Sequence, residues 1–190
     1  AGLGGDCRRT AKLHLFPSPV PTMRALVPLL LAFAALPAFA ADMLPETEPR
    51  RSASEYGAAV ARKVIAVAEH CATLPAPEGP DMQAAIAAWH SRNDSLHHGA
   101  IAWRDDRYRA IANLRGEEVA TIDARRFESD VTGIVLRGVA RVSVDNKPDP
   151  GRCREYVALI QRRGVDLDGH AEFGPLLQEL AKAYPQSKAD

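Results

Sequence analysis

The chain has 190 residues, 46% of them hydrophobic, and sets 24 Lys and Arg against 24 Asp and Glu. That is enough sequence for one domain with a real core, and the balanced charge offers no basic excess for nucleic acid or an anionic membrane surface. Three cysteines and one long apolar run carry most of what can be read about compartment.

The apolar run, Met23 to Ala40, has the layout of a secretory signal peptide. Arg24 supplies the basic n-region and Ala25 to Leu36 the apolar h-region. Pro37 breaks the helix ahead of Ala38-Phe39-Ala40, a small-x-small cleavage site. A spanning helix needs about twenty apolar residues, more than this run provides. Position 41 is Ala, not the Cys that would accept a lipid anchor. We therefore expect residues 1–22 to be a non-native upstream extension and 23–40 to be a cleaved leader. The mature protein would then be periplasmic or secreted, starting near Ala41. Arg8-Arg9 offers a rival, a twin-arginine export signal, but Pro17, Pro19 and Pro21 separate it from the apolar run. Without residues 1–40, which hold Asp6 against Arg8, Arg9, Lys12 and Arg24, the remainder has 23 acidic and 20 basic residues, a net of −3. Cys7 leaves with the leader. Cys71 and Cys153 remain, and with no Cys-x-x-Cys spacing they are expected to form a structural disulfide in an oxidising compartment.

Residues 41–51, polar and interrupted by Pro45 and Pro49, are expected to be a flexible arm, with a single helical domain over 52–185 and a tail at 186–190. A capping box at Ser52-Ala-Ser-Glu55 predicts the start of a first helix with Tyr56, Val60, Val64, Val67 and Cys71 on its apolar face. Asp81 is the expected N-cap of a second helix. Its seam runs through Met82, Ile86, Trp89, Asn93, Leu96, Ala100, Trp103, Arg107, Ala110 and Leu114, with Gly99 as its one weak point. The pattern does not say whether this helix continues past Gly99. Glu117 to Val144 is rich in β-branched residues, yet Phe127, Val131, Ile134, Val135, Val139 and Val142 keep the helical interval, which predicts a third helix. After a loop at 146–151, Asp149 and Pro150 open a fourth helix carrying Cys153, Tyr156, Val157 and Ile160 and ending at Gly164. A fifth carries Phe173, Leu176, Leu177, Leu180 and Tyr184. The fold class expected is thus all-α, a single bundle of about five helices.

Two constellations on the second helix could bear function. His90, Asp94, His97 and His98 share a flank and are of the types that hold zinc, copper or nickel, so a divalent transition metal is the one cofactor to consider. A solvated flank with ordinary i,i+4 pairs is the plainer reading. Trp89, Arg92 and Asn93 could line a pocket for a carboxylate or amide, or could be core residues with an exposed arginine beside them. Signatures of an enzyme are missing: no Gly-x-Ser-x-Gly, no His-Glu-x-x-His, no Gly-Lys-Ser/Thr loop, no Cys-x-x-Cys-His. The expectation is an exported helical protein that binds an envelope protein or small ligand. Metal binding through the helix-two histidines is the alternative, and a cell-wall hydrolase with carboxylates gathered by folding is third.

Overall fold

The computed structural model describes residues 44–75 and 81–186, and it is helical almost throughout. The extension at 1–22, the leader at 23–40 and the tail from 187 onward lie outside the described residues, as does 76–80 of the first interhelical loop. Five helices follow in order: α1 (Glu48–Cys71), α2 (Met82–Arg115), α3 (Glu117–Arg141), α4 (Pro150–Gln161) and α5 (Phe173–Ala183). A two-residue hairpin, β1 (Ser143–Val144) and β2 (Lys147–Pro148), joins α3 to α4, and a 3₁₀ turn at Leu167–Gly169 precedes α5.

α1 is capped five residues before the expected cap at Ser52. Thr47 is the N-cap, its Oγ1 accepting from the Arg50 N–H at 3.4 Å, and Pro49 sits in the first turn. Proline has no N–H to lose there and its fixed φ suits the helix, so it opens α1 instead of excluding it. The Ser52 capping box is consequently inside the helix and caps nothing. The arm ahead of it is tied down from Leu44 onward. The Trp103 indole N–H donates to the Leu44 carbonyl at 3.1 Å, and Arg107 Nε meets Glu46 at 2.6 Å.

α2 is continuous through Gly99, and Asp81 caps it by accepting the Ala84 N–H at 2.9 Å. A Cβ at Gly99 would lie 2.6 Å from the Ala181 backbone, so the glycine marks where α5 crosses α2 almost backbone to backbone. The predicted seam is buried from Met82 to Arg107 except at half-buried Ile86, but its end is not: Leu114 is 84% exposed. α3 stops at Arg141 rather than Val144. Asp145 and Asn146 take left-handed φ values of 49° and 62°, the two-residue turn that lets β1 and β2 pair antiparallel. The β-branched end of the segment therefore does turn into strand, for two residues. α4 opens as expected, Asp149 accepting the Arg152 N–H at 2.9 Å, but ends at Gln161, and Arg163 rather than Gly164 takes the left-handed turn at φ 64°.

α1 lies at the centre and packs against α2, α3 and α5, while α2 also packs against α4 and α5. Val64, Val67, Trp89, Trp103, Ile160, Leu167, Leu177 and Leu180 are fully buried in the main core. A second cluster, Ala58, Ala59, Phe127 and Val131, seats α3 on α1. Cys71 and Cys153 are bonded across this core, with their Cα atoms 5.7 Å apart and the residues 82 positions apart in sequence. No described helix is long and apolar enough to cross a membrane.

Candidate functional site

The Trp89, Arg92 and Asn93 string is brought together, and it faces the loop between α4 and α5. The Trp89 indole N–H donates to the Val165 carbonyl at 3.1 Å. Arg92 grips Asp166 through two bonds, Nε to Oδ2 at 2.7 Å and Nη2 to Oδ1 at 3.0 Å, and also donates to the Ala88 and Ile160 carbonyls. The Asn93 amide donates to the Trp89 carbonyl and to Asp166 Oδ1, while its own Oδ1 accepts the Leu167 N–H at 2.7 Å. Three consecutive loop residues are thereby fastened to one turn of α2.

Asp166 is the hub of this latch. Its side chain is 1% exposed, and burial alone would favour the neutral acid. Hydrogen bonds from Arg92, Arg163 and Asn93 outweigh that, and its carboxyl is held below the usual range. Trp89 and Asn93 are themselves fully buried. The donors and acceptors that could have recognised a carboxylate or amide are thus spent on the loop. No periodicity marks Asp166, which lies outside any helix. The available signal was indirect: a polar Asn93 on an apolar seam demands a buried partner.

The metal candidates share a flank without converging. His90 Nδ1 lies 2.6 Å from Asp94 Oδ1, His98 Nδ1 lies 3.2 Å from the Tyr184 carbonyl, and His97 Nε2 is buried with no partner. His70 Nε2 meets Ser143 Oγ at 2.9 Å, and His170 is stacked on Phe173, its Nδ1 accepting the Phe173 N–H. Among the described residues no group of three or more His, Cys, Asp or Glu is placed to hold a metal ion.

Folding does gather carboxylates elsewhere. A cleft of about 180 Å³ between α1 and α3 is lined by Arg51, Glu55, Asp123, Arg126, Phe127 and Asp130. Desolvation raises the Glu55 carboxyl, whereas Asp123 is engaged by Arg107 Nη2 at 2.7 Å. Arg107 is 5% exposed, with Glu46 on Nε and Asp123 on Nη2, so this polar member of the α2 seam is neutralised on both sides. Nothing in the sequence spacing links Glu46, Arg107 and Asp123.

The outer side of α3 carries two of the exposed large hydrophobic residues, besides Leu114 and Val144. Ile122 is 60% and Leu136 64% exposed, on the side opposite buried Ala120, Phe127, Val131 and Gly138. Ile122, Ser129 and Leu136 recur at seven-residue steps and so share one face, with Arg125 and Arg137 exposed beside them. No family model matches the chain, and no curated protein or solved structure matches it either.

Proposed function

We propose that this is an exported binding protein whose docking face is the outer side of α3, and that its partner is an envelope protein presenting an acidic, partly apolar surface. The observation that carries the reading is the exposure of Ile122 and Leu136 on one helical face flanked by Arg125 and Arg137. Large aliphatic side chains that a helix directs away from its own core gain free energy only against another surface, and flanking arginines favour an acidic one. Export is supported by the signal-peptide layout at 23–40 and by the Cys71–Cys153 bond, since such bonds persist in oxidising compartments.

Photocrosslinking in cells that export the protein tests both parts. A photoreactive residue at Ile122 or Leu136 is expected to yield one discrete adduct, absent when it is placed at the exposed Ala87 of α2 and lost on Arg125→Glu with Arg137→Glu. Adducts of equal yield at Ala87, or none at any position, would reject this face. An adduct of twice the chain mass would replace the envelope partner with a second copy.

A further inference from the structure

A different part of the molecule has the makings of a ligand site. The hairpin turns the chain so that α4 lies beside the end of α3, held by the Asp149 N–H donating to the Val142 carbonyl at 2.8 Å. Between them is a cavity of about 340 Å³ lined by Arg141, Val142, Arg152, Glu155, Tyr156, Leu159 and Arg162. Its lining thus combines three arginines and one glutamate with Val142, Leu159 and Tyr156. Arg152 is partly committed, Nη1 donating to the Ser143 carbonyl at 2.6 Å. Among the described residues neither Arg141 nor Arg162 has an ion-pair partner.

Two further observations bear on this corner. The Tyr156 hydroxyl is shut off from solvent without a hydrogen-bond partner, so Tyr156 meets the cavity through its ring and not through its phenol oxygen. Burial raises the phenol to about 12. Lys63, whose stem packs where Gly138 lacks a side chain, is pushed down by its burial and by the nearby Arg141 charge. Arg141, Arg152 and Arg162 thus set three positive charges against the one negative charge of Glu155 at this corner, in a chain with no basic excess overall.

Helix-end stabilisation is the ordinary role of Arg141, in the last turn of α3, and of Arg162, the C-cap of α4. It does not account for both arginines lining one cavity together with Arg152. We infer that the α3–α4 corner is a binding site for an oxyanion carrying a short apolar group, a phosphate monoester or a carboxylate of that kind. Arg141 and Arg162 would hold the anion, and Val142, Leu159 and the Tyr156 ring would cover its apolar part. The site is independent of the α3 docking face and uses none of its residues.

Titration of ¹⁵N-labelled protein with hexyl phosphate, inorganic phosphate and hexanol tests this. Hexyl phosphate is expected to shift the Val142, Tyr156 and Leu159 amides and to bind about tenfold more tightly than either half-ligand. Arg141→Ala and Arg162→Ala should each weaken it about tenfold while the helical circular dichroism is unchanged. Cosedimentation with phosphatidylglycerol vesicles, lost in the same variants and absent with phosphatidylcholine, would identify the source as a lipid headgroup. Binding of hexyl phosphate without cosedimentation would identify a free anion. Equal affinity in wild type and both variants, shifts confined to other arginines, or no binding would overturn the site.

Discussion

Arg92 and Asp166, 74 positions apart in the chain, meet in a two-pronged ion pair whose carboxylate is sealed from solvent by the loop that carries it. Planar guanidinium matches carboxylate in this geometry as lysine cannot. Removing the acid strands the guanidinium and one Asn93 donor, and a pair of this kind loses about 2 to 4 kcal/mol when one partner goes. Asp166→Ala is therefore expected to lower unfolding free energy by that amount in urea, and Arg92→Lys to recover little of the arginine's contribution. A loss under about 0.5 kcal/mol, the range of neutral surface changes, would mean the latch holds nothing.

The latch also shows which parts of the molecule could be read from sequence. Trp89, Asn93 and Trp103 lie on the α2 seam where the period puts them, because burial imposes that period locally. Asp166 has no such signature: it is chosen by where the α4–α5 loop lands after folding. Arg107 illustrates the same limit, since its partners Glu46 and Asp123 come from the arm and from α3. Pro49 interrupts the expected flexible arm in sequence, whereas at a first turn proline opens a helix. The α3–α4 corner was invisible because its arginines belong to separate segments and none lies on an apolar stripe.

Cys71 and Cys153, 82 positions apart, close a loop that joins the end of α1 to the start of α4. In the chain-entropy model such a loop stabilises the fold by roughly 4 to 5 kcal/mol, an upper guide to the measured effect. Both sulfurs are buried, so reduction should be slow in buffer and fast in urea. The paired Cys71→Ser, Cys153→Ser variant is expected to keep its helical circular dichroism but to unfold at markedly lower urea. Identical unfolding of oxidised and doubly substituted protein would show that the bond does not constrain the unfolded chain.

Two helical glycines should respond oppositely to the same substitution. Alanine is favoured over glycine in a helix by about 1 kcal/mol. At Gly133 on α3 the new methyl would meet only the flexible end of Arg137, so Gly133→Ala should stabilise by about 0.5 to 1 kcal/mol. At Gly99 it would sit 2.6 Å from the Ala181 backbone, which cannot swing aside. Overpacking of this kind costs about 1 to 3 kcal/mol, enough to exceed the propensity gain, so Gly99→Ala should destabilise. Urea melts of the two variants decide it. Stabilisation by both would mean that α2 and α5 are not in close contact at Gly99.

His97 gives the fold a defined acid sensitivity. Its Nε2 is buried without a partner, and burial pushes the imidazole below its ordinary 6.5, with His90, Arg104 and His98 adding to the depression and Asp94 opposing it. The unfolded chain therefore takes up this proton more readily than the native one. The contribution to stability is complete above 6.5 and is lost as pH falls from there through the lower folded value. Wild-type protein should accordingly unfold at lower urea at pH 5.5 than at pH 7.5. His97→Leu removes the titrating group, and should both shrink that difference and raise the midpoint at pH 5.5. An undiminished pH dependence in His97→Leu would assign the sensitivity to another group.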